Sequence, residues 1–307
     1  MHVGARDPSC AFSSRDPWDI LCAMDPGMYD HQYFKEMRAG ANLKKADEER
    51  FFDAFIKIAA SPVDAAILDI GCGRGDLLAR FVASGVRDVY GCDFSPSAVE
   101  LTRDRLAPLL GESVARNNIR LGSATDRTLY AEGPLCAEGT FDRIFLTDVV
   151  EHLPQPDLEA ALANVAYWLK PDGIAIIHTF PTERIHQLYR RYLKLCRGRA
   201  MLEKVDAIHC NVQTVRRLTE TIEDAGLTCS RTWLQNDFVL ASTVFQGLRS
   251  GFFKKALTFG FERVLNWPIV RSIVHACGMD EFVYPSIYCV CKKRSRSRSS
   301  ATAGRSR

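Results

Sequence analysis

The chain has 307 residues, 47% of them hydrophobic and 25% charged, which is ordinary for a globular protein and leaves room for one large α/β domain with an addition, or for two small domains. The formal charge of +3 misleads, because residues 292–307 carry seven positive charges and no acid, which leaves −4 for the rest of the chain. The 11 cysteines, an odd number with no C-x-x-C pair, argue against a disulfide framework and for reduced thiols in a cytoplasmic protein. No apolar run suits a membrane span, and Met1 to Asp25 lacks the apolar core of a secretory signal.

Residues 1–27 read as a disordered extension, since Asp7-Pro8, Asp16-Pro17 and Asp25-Pro26 are turn signals without periodicity. Met24 and Met28 are alternative starts for the chain. A charged helix is expected over 42–60. Then comes the stretch around which the rest is organised. Ala65 to Ile70 is short and apolar enough to be a buried strand, and Leu77 to Val82 opens a helix. Between them Gly71, Gly73 and Gly75 alternate, so a ligand can lie directly against the main chain at a helix N-terminus. The spacing is G-x-G-x-G, and Asp76 holds the place of the last glycine of the dinucleotide fingerprint. Val86 to Asp93 is a second strand, and Asp93 lies about 20 residues past the loop, where such folds set a carboxylate on a ribose. Ser95-Pro96 is an N-cap followed by proline at the first helical position.

Further along, a helix is expected over 97–106, a third strand over 118–122, and a fourth over 141–147. Asp148 to Pro154 follows the carboxyl end of the fourth strand, where ligands bind in open α/β sheets. A helix over 157–169, a turn at 170–173 and a fifth strand over 173–179 place His178 near another carboxyl end. Helices over 180–199 and 211–226 and a sixth strand over 227–234 come next. A seventh strand over 285–291 is expected to pair antiparallel at the sheet edge. The fold class is therefore α/β, a doubly wound, mostly parallel seven-stranded sheet. Its core spans 28–236, a helical insertion or cap spans 237–283, the last core strand spans 284–291, and a disordered basic tail spans 292–307.

The runs Leu68-Asp69-Ile70-Gly71-Cys72-Gly73-Arg74-Gly75, Gly91-Cys92-Asp93-Phe94-Ser95, Phe141 to Leu146 and Leu169 to Gly173 resemble a class I S-adenosylmethionine-dependent methyltransferase over roughly residues 45–235. The resemblance implies S-adenosyl-L-methionine as cofactor. It implies that Asp69, Gly71, Cys72, Gly73, Gly75, Asp93, Phe94, Ser123, Ala124 and Thr147 bind it. Ser123 stands where relatives often have the aspartate of Gly-Asp-Ala that accepts from the adenine amino group. In such proteins the segment before the first strand often folds over the cofactor. Tyr29, Tyr33 and Phe34 would then form a lid; packing on the sheet edge is the alternative.

Histidine suits removal of a proton from the acceptor, because its ordinary pKa is near 6.5. His152 is the first candidate base, His178 the second and His209 the third. Glu151-His152 resembles the Glu-His pair of ubiquinone-type O-methyltransferases, which points to a hydroxyl oxygen on a small molecule and makes Glu151 a candidate beside His152. No metal is assigned. A second reading takes Asp148, Glu151 and His152, with His209, as a metal set like the E-x-x-E-H of small-RNA 2′-O-methyltransferases. That reading would recruit RNA through the basic tail. A third has an acceptor on a lipid or glycan, or peripheral membrane contact, through the aromatic and basic residues of 245–271. A fold that binds cofactor without turnover is the non-enzymatic alternative.

Overall fold

The computed structural model describes residues 26–34, 45–128, 137–196, 209–236 and 264–294. Seven strands form one sheet: β1 Ile67–Ile70, β2 Val89–Asp93, β3 Ile119–Leu121, β4 Phe141–Thr147, β5 Leu169–Thr179, β6 Leu227–Gln235 and β7 Ser286–Lys293. Their spatial order is β3-β2-β1-β4-β5-β7-β6. The pairs from β3 across to β5 are parallel, and β7 runs antiparallel to both β5 and β6.

All four residues of β1 are buried, because helices cover both faces of the sheet. Alternation along each strand divides the core in two. Leu68, Ile70, Ile144, Leu146 and Ile177 face one side. There they meet Leu158, Leu162 and Val165 of α5 Gln155–Trp168, and Leu218 and Ile222 of α7 Val215–Asp224. Ile67, Phe145, Ile176 and Tyr288 face the other side. Their partners are Phe55 of α1 Lys45–Ala59, Leu78 and Phe81 of α2 Asp76–Ala83, and Val99 of α3 Pro96–Leu110. The Ser95 hydroxyl caps α3 by accepting from Ala98 N at 3.2 Å, with Pro96 at the first helical position. The short α4 Glu112–Asn118 leads into β3. After β5 a cis Phe180-Pro181 bond turns the chain into α6 Glu183–Cys196, which starts later than the sequence suggests because Pro181 precedes it. Thr214 caps α7, so that helix also starts later than expected, and Gly226 ends it at φ 89.

Two expectations are corrected. First, β7 is not at the sheet edge: it is inserted between β5 and β6, and β6 is the edge. Ile287, Tyr288, Cys289 and Cys291 of β7 are buried, which suits an interior strand, whereas the middle of β6 is largely exposed. Second, Lys170 to Gly173 is not a separate turn but an irregular stretch inside β5. Phe141 pairs with Leu169 and Arg143 with Ile174, so the extra residues bulge out of the ladder. Of the expected insertion, residues 237–263 lie outside the described set. Within 264–283 the chain is helical, with α8 Pro268–Ala276 and α9 Asp280–Val283. Residues 1–25 and 295–307, which include most of the expected extension and tail, also lie outside it. Among the described residues no helix is long and apolar enough to cross a membrane.

Candidate active site

The strand order reverses at β1 and β4, and the crevice there opens at the carboxyl ends of the strands. A cavity of about 220 Å³ lies in it. The glycine loop forms its floor. Gly71 sits at φ 75 and its N–H donates to Cys92 O at 2.8 Å. A Cβ added to Gly71 would collide with Val149 Cγ2. Gly73 sits at φ 53, also in the left-handed region that suits glycine. Asp93, at the end of β2, accepts from Gly73 N at 3.0 Å on one oxygen and from Ser95 N at 2.9 Å on the other. The carboxylate thus ties the loop to the start of α3, and its acceptor sites outnumber these backbone donors, which leaves capacity for a ligand. Burial raises the pKa of Asp93, and the backbone N–H groups of Ser95, Gly73 and Phe94 oppose the rise. Asp69, on β1, is 2% exposed, and its Oδ1 has no hydrogen-bond partner. Burial, and secondarily the nearby Asp93, push it up to about 8.

The other wall comes from the segment before β1 and the loop after β4. Tyr29, Tyr33 and Phe34 all line the cavity. Tyr29 packs edge-on against Phe94, with ring centroids 5.0 Å apart, and its carbonyl accepts from Ser95 Oγ at 2.6 Å. Phe34 approaches the glycine loop at Gly73. The aromatic segment therefore lies over the glycine loop rather than against the sheet edge. His152 closes a 3₁₀ turn, Val150–His152, at the end of β4. Its Nδ1 lies 3.3 Å from the Tyr29 hydroxyl, and its Nε2 lies 4.0 Å from Glu151 Oε1. Glu151 is buried and accepts from Thr179 Oγ1 at 2.7 Å. Burial, then the charge of Asp148, raise its pKa to about 8.

Of the residues assigned from sequence, Asp69, Gly71, Cys72, Gly73, Asp93, Phe94, Thr147 and His152 line the cavity. Gly75, Ser123, Ala124, Glu151 and His178 do not. Gly75 is buried against Thr102 of α3. The Ser123 hydroxyl is engaged locally, 2.9 Å from that of Thr125 and accepting from Thr125 N at 3.2 Å. The Ala124 carbonyl accepts from the Asn164 amide. His178 is 2% exposed among Phe51, Phe55 and Tyr288, with its Nδ1 2.8 Å from Asp148 Oδ1. Asp148 lines the cavity at φ 55, a strained angle for a non-glycine residue.

His209 is brought to the site by a loop pinned to the post-β4 turn. Asn211 N donates to Glu151 O at 3.0 Å, and Cys210 Sγ lies 3.4 Å from His152 O. The His209 ring stacks on His152 with centroids 5.4 Å apart, and His186 of α6 meets it edge-on at 6.1 Å. Burial, then the two neighbouring histidines, lower the pKa of His209 to about 3, so it is a neutral ring at physiological pH. Among the described residues no group of three or more His, Cys, Asp or Glu side chains is gathered as a metal site. His186 and Phe52 were missed from sequence. The Phe51-Phe52 pair before β1 was the available signal for the second, since Phe52 joins the cavity wall.

A family model described as a methyltransferase domain matches residues 29–231. The chain belongs to that methyltransferase family. Among curated proteins it is 28% identical over 127 residues to the ubiquinone biosynthesis O-methyltransferase of Xanthomonas axonopodis pv. citri (strain 306), covering 41% of this chain and 47% of that one. It is 33% identical over 87 residues to EEF1A lysine methyltransferase 2 of Mus musculus, covering 28% and 34%. It is 27% identical over 163 residues to the cyclopropane-fatty-acyl-phospholipid synthase of Escherichia coli (strain K12), covering 52% and 37%. The chain thus spans half or less of the length of these curated relatives. Among solved structures, magnesium protoporphyrin IX methyltransferase from Synechocystis PCC 6803 matches with a TM-score of 0.53 at 15% identity, covering 88% of this chain and 98% of that one. Geranyl diphosphate C-methyltransferase from Streptomyces coelicolor A3(2) matches at 0.50 and 14%, covering 80% of each. These likenesses establish the class I methyltransferase fold, whose cofactor is S-adenosylmethionine. The residues present fit that cofactor. The methyltransferase has an unpartnered buried carboxylate oxygen on Asp69, a strand-end carboxylate on Asp93, and a loop at Gly71 with no room for a side chain.

Proposed function

We propose that the protein is an active S-adenosylmethionine-dependent methyltransferase whose acceptor is a hydroxyl oxygen on a small molecule. The observation that carries this reading is the bond between Tyr29 Oη and His152 Nδ1, 3.3 Å, at the wall of the cavity. When bound, S-adenosylmethionine supplies an electrophilic methyl group, and the protein's share is to hold the acceptor and take its proton. Asp93 would hold the ribose and Asp69 a cationic or hydroxyl donor of the cofactor. Tyr29 is too poor an acid to serve as a phenolate base, since burial raises its pKa to about 12, with smaller contributions from Cys210, Glu151 and Asp93. It suits a relay instead. The acceptor hydroxyl proton passes to Tyr29 Oη as the Tyr29 proton passes to His152 Nδ1. The imidazolium so formed lies 4.0 Å from Glu151 and favours ionisation of that carboxyl. The neutral His209 ring stacks on His152 and restricts its rotation.

The test is methyl transfer from isotopically labelled S-adenosylmethionine to a panel of hydroxyl-bearing small molecules and, in parallel, to a lysine-containing peptide. Labelled ether product from a member of the panel is expected. Transfer to the peptide with none to any hydroxyl would overturn the oxygen assignment and leave the cofactor assignment standing.

A further inference from the structure

We propose that α6 and α8 form a docking surface for an anionic lipid bilayer, a reading independent of the acceptor atom. Topology puts both helices at the end of the sheet that holds the cavity. α6 leaves the carboxyl end of β5, and β6 ends there because it runs parallel to β5. β7 enters from that end, directly after α8 and α9. α9, which follows α8 directly, also reaches α6: Arg184 of α6 stacks over the Phe282 ring of α9, 5.6 Å from its centroid. The Thr182 hydroxyl, just before α6, donates to Glu281 O at 2.9 Å.

The outer face of α6 has the composition of an interfacial helix. Leu188, Tyr192 and Leu195 follow at intervals of four and three residues, so they share one stripe, and they are 46%, 38% and 86% exposed. Arg184, Arg191 and Lys194 are exposed beside them, and none of the exposed residues of this helix is an acid. α8 has no buried residue. Trp267, Ile269 and Ile273 are 58%, 59% and 58% exposed. Single exposed apolar residues are common, but six large ones on two helices at one end of the sheet, with Trp267 just before α8, are not. The charge sets the sign of the partner, which must be negative: the exposed Arg184, Arg191 and Lys194 outnumber the single acid of α6, the half-buried Glu183. The aliphatic and indole side chains set its nature. Leu195, Ile269 and Ile273 have nothing to offer a phosphodiester backbone, whereas a bilayer takes alkyl side chains below its headgroups and cations among them.

The experiment is co-flotation of the full chain with vesicles of phosphatidylcholine alone and with 30% phosphatidylglycerol (a composition chosen to give about the charge of an anionic membrane). Binding to the anionic vesicles is expected to exceed binding to neutral ones by at least roughly tenfold and to fall with added salt. The exposed pair Leu188→Ser with Leu195→Ser, and separately Arg191→Glu with Lys194→Glu, should each lower the partition coefficient by about tenfold. An unchanged melting temperature confirms that the variants fold. Indole emission that shifts to shorter wavelength on wild-type addition to anionic vesicles, and fails to shift in Trp267→Phe, places that side chain in the bilayer. Equal, weak binding of wild type to both vesicle types at low salt overturns the proposal. So does retention of the chain on a single-stranded RNA with no flotation.

Discussion

The two halves of the cavity are built by different means. The cofactor half, β1 and β2 with the glycine loop, rests largely on main chain: Gly71 and Gly73 at positive φ and backbone N–H groups on Asp93, with a carboxylate on each of the two adjacent strands. The acceptor half is made of side chains from separated segments: Tyr29 and His152 line the cavity, and His209, then His186, pack behind His152. A backbone site tolerates few changes and specifies one ligand. A side-chain site can be rebuilt by substitution, which is why one methyltransferase fold serves many acceptors.

This contrast can be tested by trying to uncouple the halves. His152→Gln should lower kcat by about 10²–10⁴-fold, the range for loss of a positioned base, while the cofactor Kd measured by calorimetry stays within about twofold. A large change in Kd would show that the halves are one. Gly71→Ala forces a Cβ into Val149 at a left-handed angle. Overpacking of this kind costs about 1–3 kcal/mol, so cofactor affinity should fall by roughly 10–100-fold. The fold should survive, as a thermal melt would show. Tyr29→Phe keeps the ring against Phe94 but removes the relay hydroxyl, and should reduce kcat by about tenfold with Kd unchanged. The smallest effect is on pH. Asp69 and Glu151 both have folded pKa values of about 8, above their ordinary values. The folded state therefore binds more protons than the unfolded state between about pH 4 and 8, and the apo melting temperature should fall as pH rises through that window. His209 has the opposite sign, since its pKa is lowered to about 3, and costs stability as pH falls below about 6.5. Asp69→Asn should flatten the alkaline decline. It should also remove the rise in cofactor affinity expected between pH 6 and 8 as the Asp69 carboxyl ionises to meet a cationic group.

The same contrast explains what could be read from the sequence. The glycine loop, Asp69 and Asp93 lie within one short stretch of chain, and their conformations follow from residue type, so they were legible. Ser123 was assigned by its place in a pattern, but its hydroxyl closes a local turn on Thr125, and no spacing rule distinguishes those uses. His178 and His152 look alike in sequence, each near the carboxyl end of a strand. Alternation along β5 sends His178 into the aromatic cluster, whereas the 3₁₀ turn after β4 presents His152 to the cavity. His186 reads as one residue of a basic helix until the fold brings it beside His209. The position of β7 was misjudged for a related reason: antiparallel pairing was legible, but the burial of Ile287 to Cys291 on both faces needed more weight than their order in the chain.

That strand order also has a consequence for biosynthesis. Among the described residues β7 is what joins β5 to β6 in the sheet, and it is translated after both. While the ribosome is still making residues 236–285, β5 and β6 both lack β7, the strand that pairs with each of them in the described sheet. The nascent chain can settle its cofactor half early, because β1 to β4 are then already complete. Its acceptor half must wait for Ser286 to Lys293. A ribosome that stalls in that interval would leave a chain with a finished methyl-donor pocket and a sheet edge open to unrelated strands.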